Sequence, residues 1–278
     1  VEPRQYFLRL RHHMKIVVCV KQVPEITDVN VDPETGTLIR EGVTAILNPF
    51  CEYALDHAVR LKSAYNEAEV IAITMGPPQA KSALYRCLEL GADRAVLVSD
   101  RKFAGADTWA TALTLSAAIR QAAPDFSLII AGKQAIDGDT AQVGPELAEI
   151  LNLPQIMYGA QMQLTPNRKR VRVKQETENG YKILEARLPA VVSVSKGELI
   201  RRIPSFQDVL NARAKDLRVI TAGDLDLDEA ELGLQGSYTQ VVNVFPPAQK
   251  PGGTKLEGLE PEAAARKIAA FLREAKFI

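Results

Sequence analysis

Short apolar runs rich in β-branched residues alternate with helical patterns over the first two thirds of the chain. The runs occupy residues 15–20, 70–75, 95–98 and 126–131. Each has the length and composition of a buried strand, and segments with apolar residues at helical spacing lie between them. Alternating strands and helices build a parallel sheet covered by helices. The sequence therefore predicts an α/β fold: an open, mainly parallel sheet with helices on both faces.

Capping and turn residues mark the boundaries of further elements. Asn48 and Pro49 predict a helix start, with Asn48 as the N-cap and Pro49 in the first helical position. Polar and apolar residues alternate around an Asn-Gly turn, which predicts an antiparallel hairpin. The predicted helices cover about 79–90 and 107–122, and the predicted hairpins cover 31–39 and 170–186.

Composition excludes several classes of protein. The 278 residues are 46% hydrophobic and 24% charged, and the 34 Lys and Arg equal the 34 Asp and Glu. This balance is unlike that of nucleic-acid-binding or membrane-surface proteins. The sequence contains no run of about 18 apolar residues, so it predicts no transmembrane helix. Three cysteines without CxxC spacing favour a reducing compartment, and hence a cytoplasmic protein without disulfides or a zinc site.

The chain divides into three predicted parts. Residues 1–13 lack the apolar core and cleavage site of a signal peptide, so we interpret them as an extension upstream of the true start at Met14. Residues 14–203 form the α/β domain. Residues 204–278 have Gly- and Pro-rich segments and a final helix over about 261–276. Because so little core does not fold alone, we predict an extended C-terminal arm that packs on another subunit.

A polar, glycine-containing loop, residues 132–146, follows the last apolar run and leads into a helix. Open α/β sheets bind nucleotides where such a loop leaves the carboxyl end of a strand. The first N–H groups of the following helix are unpaired and attract a phosphate. Thr140 and Gln142 add donors without charge. The sequence thus predicts a Rossmann-like sheet with a nucleotide site in this loop.

Some residues of the loop allow alternative roles. Asp137 and Asp139 repel phosphate, so we favour a bracing or capping role over hydrogen bonds to ribose hydroxyls. Pro145 lacks an N–H group. Either the helix begins there with Gly144 as its cap, or residues 140–143 form a separate first turn.

No motif for hydrolytic or metal chemistry accompanies the loop. The sequence lacks Walker A, GxGxxG, HExxH and GxSxG motifs, and its three histidines are poorly placed for a metal site. We therefore predict no metal and no catalytic side chain, and we interpret His57 as a surface or packing residue. Cys19 and the segment 48–51 would meet the loop above the sheet if their strands are neighbours. Taken singly, Cys19 is interpreted as a small apolar residue and Asn48 as a helix cap.

Several segments, in this order, resemble the β subunit of electron transfer flavoprotein. They are Val-Lys-Gln-Val at 20–23, Asn-Pro-Phe-Cys-Glu at 48–52, Gly-Ala-Asp-Arg at 91–94, Gly-Lys-Gln-Ala-Ile-Asp at 132–137 and a hairpin pattern over 173–192. The likeness covers nearly all of residues 14–278. It implies an adenine-nucleotide-binding fold and a heterodimer with an α subunit that carries an electron-transferring FAD.

The resemblance also implies which residues contact a cofactor. They follow the first strand, open the first helix, end the next strand and form the loop. The residues are Cys19, Asn48, Pro49, Phe50, Cys51, Met75, Gly132, Lys133, Gln134, Ala135, Ile136, Asp137, Gly138, Asp139, Thr140, Ala141, Gln142 and Val143.

Two forms of this family differ in what the site holds. The plain form holds a structural AMP. The electron-bifurcating form holds a second FAD, whose ADP moiety takes the AMP position and whose flavin accepts a hydride from NADH. Residues 138–145 and 32–42 resemble the bifurcating form, whereas Phe50-Cys51 resembles the AMP form. We therefore expect FAD, with AMP as the alternative.

The resemblance implies electron partners as well. One electron passes through the α-subunit FAD to a high-potential acceptor, and the other passes to ferredoxin or flavodoxin. Residues 195–201 are positioned like the family's docking loop for an acyl-CoA dehydrogenase or another flavin dehydrogenase. Neither nucleic acid nor a membrane is an expected partner.

Overall fold

The computed structural model of the protein describes most of the chain. The ranges described are 14–25, 44–65, 68–197, 202–243 and 252–278. Five predictions fall wholly or partly outside them: the extension at 1–13, the hairpin over 31–39, the segment 32–42 that resembles the bifurcating form, residues 198–201 of the docking loop and residues 244–251 of the C-terminal arm.

Strands and α-helices alternate through the described ranges. The strands are β1 (Met14–Cys19), β2 (Gln22–Pro24), β3 (Ala45–Leu47), β4 (Ala68–Met75), β5 (Arg94–Val98), β6 (Leu128–Gly132), β7 (Gln155–Leu164), β8 (Arg170–Thr177), β9 (Gly180–Arg187), β10 (Ala190–Val194) and β11 (Leu217–Ile220). The helices are α1 (Pro49–Ala64), α2 (Lys81–Leu90), α3 (Thr108–Ala122), α4 (Val143–Ile150), α5 (Phe206–Ala214) and α6 (Pro261–Glu274).

Nine strands form one sheet in the order β11-β5-β4-β1-β6-β10-β7-β8-β9. Neighbours from β11 to β7 pair in parallel, whereas β7 with β8 and β8 with β9 pair antiparallel. β2 and β3 form a separate antiparallel ribbon. The structure thus confirms a mainly parallel sheet and the predicted hairpin, which is β8 and β9.

Helices cover both faces of this sheet. Leu55 of α1 and Leu84 of α2 belong to the core on one face, and Ile119 of α3 and Leu147 of α4 belong to the core on the other. All four side chains are fully buried. Burying a side chain of this size stabilises the fold by about 1.5–3 kcal/mol. A few such residues on each helix are enough to hold it against the sheet.

The order of the strands changes direction at β1, which has β4 on one side and β6 on the other. The last residue of β1, Cys19, pairs with Ile73 of β4 and Ala131 of β6. Open α/β sheets bind ligands in the crevice at the carboxyl ends of the strands where the order reverses. The loop 132–146 leaves the sheet at this crevice.

Residues 204–278 differ in their relation to the sheet. β11 extends its edge beside β5, and Ile220 and Leu232 are buried. Neither β11 nor β7 was predicted from the sequence. α6, in contrast, has no buried residue. The domain boundary after residue 203 stays a prediction. Within the described ranges, no helix is long and apolar enough to cross a membrane.

Candidate nucleotide-binding site

Gly132 fixes the point at which the loop leaves β6. A Cβ atom on Gly132 would lie 2.7 Å from the backbone carbonyl carbon of Phe50 and 2.8 Å from its Cβ. Because a side chain would clash with backbone there, only glycine lets the loop pass so close to the first turn of α1. The next N–H group, of Lys133, donates to the carbonyl of Val194 over 2.7 Å. The loop therefore starts between α1 and β10.

Asn48 joins the loop to the start of α1. Its side-chain N–H donates to the carbonyl of Gln134 over 2.9 Å, and its Oδ1 accepts from the N–H of Ile136 over 3.2 Å. Asn48 stands at the N-cap position but makes no side-chain cap bond. The predicted N-cap position of Asn48 and the helix start at Pro49 are therefore confirmed, but the Asn48 side chain bonds the loop instead of the helix. An amide has both a donor and an acceptor, and the loop offers a partner for each.

Asp137 and Asp139 brace the loop, as the sequence predicts. Asp137 forms an ion pair with Lys21 over 2.8 Å. Asp139 accepts a hydrogen bond from the side-chain amide of Gln134 over 2.6 Å. Both carboxylates therefore bind donors within the protein, Lys21 and Gln134.

The second half of the loop turns into α4. The helix begins at Val143 and Gln142 occupies the N-cap position, so both predicted starts are wrong. Pro145 lies in the first turn, where its missing N–H has no helical partner to lose. Ala141 has a φ of 55° and Gln142 a φ of −101°. Successive residues with φ of opposite sign can turn their N–H groups to one side, which is the geometry of a concavity that attracts an anion.

The start of α3 supports this half of the loop from the side. The hydroxyl of Thr108 donates to Glu146 Oε1 over 2.9 Å and lies 3.3 Å from Gln142 Oε1. Sequence reasoning missed Thr108, and it placed Glu146 in the loop and Lys21 near it without predicting their contacts. The packing of α3 against α4 brings Thr108 to the loop, and no local motif signals that contact.

The cysteines beside the site are buried thiols without a base. Burial, reinforced by nearby Cys51, raises the pKa of Cys19 to about 12. Burial also raises the pKa of Cys51, against hydrogen bonds that lower it. Both thiols therefore stay protonated and are poor nucleophiles. They contribute apolar volume below the site.

The predicted contacts converge at one end of the sheet. Cys19 and Met75 end the neighbouring strands β1 and β4, and the helix start at 48–51 touches the loop at 132–137. Residues 138–143 complete the loop at the start of α4. Their role in cofactor binding stays a prediction.

The remaining candidate residues are the metal-ligating types and His57. In the described part of the chain, no group of three His, Cys, Asp or Glu residues is arranged to hold a metal ion. His57 is a buried residue of α1, so the packing interpretation is correct and the surface interpretation is wrong. Burial lowers its pKa to about 4, and Arg60 adds to the effect while Asp56 opposes it.

Comparisons with known proteins agree with the fold. A model of the electron transfer flavoprotein domain matches residues 35–225. Electron transfer flavoprotein subunit beta of Clostridium acetobutylicum is 43% identical over 261 residues, which cover 94% of this chain and 99% of that protein. The chain belongs to the electron transfer flavoprotein β subunit family. The resemblance found in the sequence is confirmed.

Two other relatives show the range of this family. Caffeyl-CoA reductase-Etf complex subunit CarD of Acetobacterium woodii is 41% identical, over 95% of this chain and 100% of that protein. Protein FixA of Azotobacter vinelandii is 41% identical, over 89% of this chain and 88% of that protein. Electron transfer flavoprotein β subunits pair with an α subunit, and the family as a whole binds flavin or AMP.

Proposed function

We propose that this β subunit holds FAD in the crevice bordered by the loop 132–146, and that NADH reduces it there. One electron then goes to the α-subunit FAD and the other to a low-potential carrier, ferredoxin or flavodoxin. The left-handed to right-handed turn at Ala141–Gln142, which leads directly into α4, carries the proposal. Such a turn beside a helix start suits the pyrophosphate of a dinucleotide.

The residues present fit such a group. Gly132 lets the loop lie against Phe50 at the start of α1, where a Cβ would collide with the Phe50 backbone. Asn48 holds the first half of the loop, and the backbone N–H groups of 141–143 would donate to the phosphate. A bound FAD supplies a two-electron acceptor for NADH that can release electrons singly. The protein supplies binding and orientation, and no side chain exchanges electrons.

AMP is the second candidate for the same site. Phe50 packs directly on Gly132, and Phe50-Cys51 resembles the AMP-binding form of the family. An AMP there has no redox chemistry, so the subunit would support electron transfer through the α-subunit FAD alone.

The proposed partners use two other parts of the chain. The C-terminal arm, with the exposed Ile268 and Phe271 of α6, packs on the α subunit. Residues 195–201 dock an acyl-CoA dehydrogenase or another flavin dehydrogenase. The name of CarD includes a caffeyl-CoA reductase, which supports a partner that acts on CoA thioesters. We place the complex in the cytoplasm, where the three free cysteines stay reduced.

Nucleotide extraction from the purified heterodimer tests the proposal. We expect two FAD per heterodimer and bleaching of flavin absorbance by NADH. One FAD and one AMP, with no response to NADH, would establish the alternative.

A double variant tests the loop as the binding element. Thr140→Ala with Gln142→Ala should release the β-subunit nucleotide and leave the α-subunit FAD in place, because only the first site loses donors. Gln161→Ala with Thr254→Ala, both at exposed positions, is the matched control. Unchanged β-site occupancy in the loop variant would rule out these side chains as phosphate ligands.

A further inference from the structure

Glu146 lies in the first turn of α4, directly behind the nucleotide loop. Its Oε1 accepts the hydrogen bond from Thr108, and its backbone N–H donates to the carbonyl of Gln142 over 3.0 Å. Oε2 is buried and has no hydrogen-bond partner among the residues that the structure describes. A buried carboxylate oxygen without a donor is costly, and protonation removes much of that cost.

Among the residues that the structure describes, no lysine or arginine forms an ion pair with Glu146. Asp107 on α3 acts on it with like charge, and Arg120 of α3 donates instead to the carbonyl of Ile150 at the far end of α4. On the side of β7 and β10, uncharged Met157 and Ser193 approach α4 at Gly144. Burial raises the pKa of Glu146, with Asp107 adding to the rise and the Thr108 hydroxyl opposing it.

The charge of Glu146 has opposite consequences in the free and the bound site. In a free site, an ionised carboxylate is favourable beside the N–H groups of the first turn of α4. A nucleotide phosphate takes those same N–H groups and brings its own negative charge. Two anions near one helix start, partly shielded from water, then repel each other.

We propose that Glu146 is a positioning residue that takes up a proton when the nucleotide phosphate binds. The proton comes from solvent and goes to Oε2, while Oε1 keeps the hydrogen bond from Thr108. The neutral side chain leaves the helix start to the phosphate. This inference rests on the proposed nucleotide site, for either FAD or AMP.

Calorimetric titration of the heterodimer, freed of its β-site nucleotide, tests the proposal. The titrant is FAD or AMP, whichever extraction returns, and buffers of different ionisation enthalpy report the protons exchanged. The wild type should take up as much as about one proton per nucleotide. Its affinity should therefore fall as pH rises across the titration of Glu146, by up to about tenfold per pH unit. Glu146→Gln keeps an acceptor for Thr108 but has no proton to gain. In this variant, the proton uptake assigned to Glu146 and the pH dependence that follows from it should be absent.

Glu149→Gln is the matched control, because Glu149 is an exposed carboxylate on the same helix. It should retain the wild-type proton uptake, and any titration of the nucleotide's own phosphate is common to all the proteins. Equal uptake in the wild type and Glu146→Gln would overturn the proposal. Absence of binding to any of them would instead refute the nucleotide site.

Thr108→Val provides an independent test if Glu146→Gln fails to assemble. It removes the hydrogen bond that favours the ionised carboxylate, so the pH range of proton uptake should move upward. An unchanged range would contradict a role for Glu146.

Discussion

At the scale of single residues, Gly132 shows how a missing side chain shapes the site. Gly132→Ala would force a methyl group against the backbone of Phe50, at 2.7 Å from its carbonyl carbon. Relieving that overlap shifts α1 or the loop, at a cost of about 1–3 kcal/mol. We expect a lower urea midpoint and weaker nucleotide binding, measured by chemical unfolding and calorimetry.

Gly138→Ala is the matched control for this change. It lies in the same loop, and a Cβ there would meet no atom within 4 Å. Its unfolding free energy should stay close to that of the wild type. Equal destabilisation by the two alanines would mean that the close approach of Gly132 to Phe50 has no energetic importance.

His57 should make stability depend on pH. Its folded-state pKa, lowered by burial to about 4, lies below the value of about 6.5 expected in the unfolded chain. Between these values the unfolded chain binds a proton that the folded protein does not. The stabilisation is therefore complete above the unfolded pKa and is lost as pH falls toward the folded pKa, by about 3 kcal/mol in all.

Replacement of His57 isolates this effect. His57→Met removes the titrating group while keeping a side chain of similar length in α1. Urea unfolding at a series of pH values, from neutral to acidic, measures the unfolding free energy of both proteins. As pH falls, the wild type should lose stability relative to the variant. A difference independent of pH would show that His57 titrates alike in both states.

At the scale of elements, Asn48 links α1 to the loop through two hydrogen bonds. Asn48→Ala leaves the carbonyl of Gln134 and the N–H of Ile136 without their partner, at a cost of about 1–3 kcal/mol where these groups are shielded from water. We expect a lower unfolding free energy and faster hydrogen exchange at Ile136. Asn211→Ala, at an exposed position of α5, should change neither. Unaltered exchange at Ile136 in the Asn48 variant would exclude the link.

Elements with a strong local pattern were predictable from the sequence, while elements defined by distant partners were not. β4 and α3 combine clear periodicity with turn or capping residues, and their predicted bounds lie within two residues of those observed. β11 has only four residues and its two central residues are exposed, so it exists as a strand because β5 offers an edge to pair with. Local pattern carries no information about that edge.

The site divides in the same way. The loop 132–146 and the start of α1 at 48–49 could be predicted, because glycines and Asn-Pro pairs mark loops and helix starts in the local sequence. The hydrogen bond from Thr108 to Glu146, in contrast, joins residues 38 positions apart in the chain. It depends on how α3 packs against α4. The start of α4 was misplaced because Pro145 is compatible with any position in the first turn.

At the scale of the whole molecule, the nucleotide crevice and the C-terminal arm lie at different places in the chain and serve different contacts. Asp107 connects the two regions. It caps α3 by accepting from the N–H of Ala110, and its other carboxylate oxygen accepts from the N–H and hydroxyl of Thr239. The arm is thereby attached, at Thr239, to the start of α3, which supports the loop 132–146 through Thr108.

Helix α6 of the arm should contribute to assembly and not to the stability of this chain. α6 has no buried residue, and Phe271 is 65% exposed, so Phe271→Glu removes no contact from the core. If α6 packs on the α subunit, the same change places a carboxylate in an apolar interface. We expect at least a tenfold loss of α-subunit affinity, equivalent to about 1.4 kcal/mol, with an unchanged melting temperature of the isolated chain. Ala270→Glu adds the same charge to another side of α6 and should leave the affinity near that of the wild type. Binding by sedimentation or calorimetry decides the matter, since equal affinity for both variants would place the interface elsewhere.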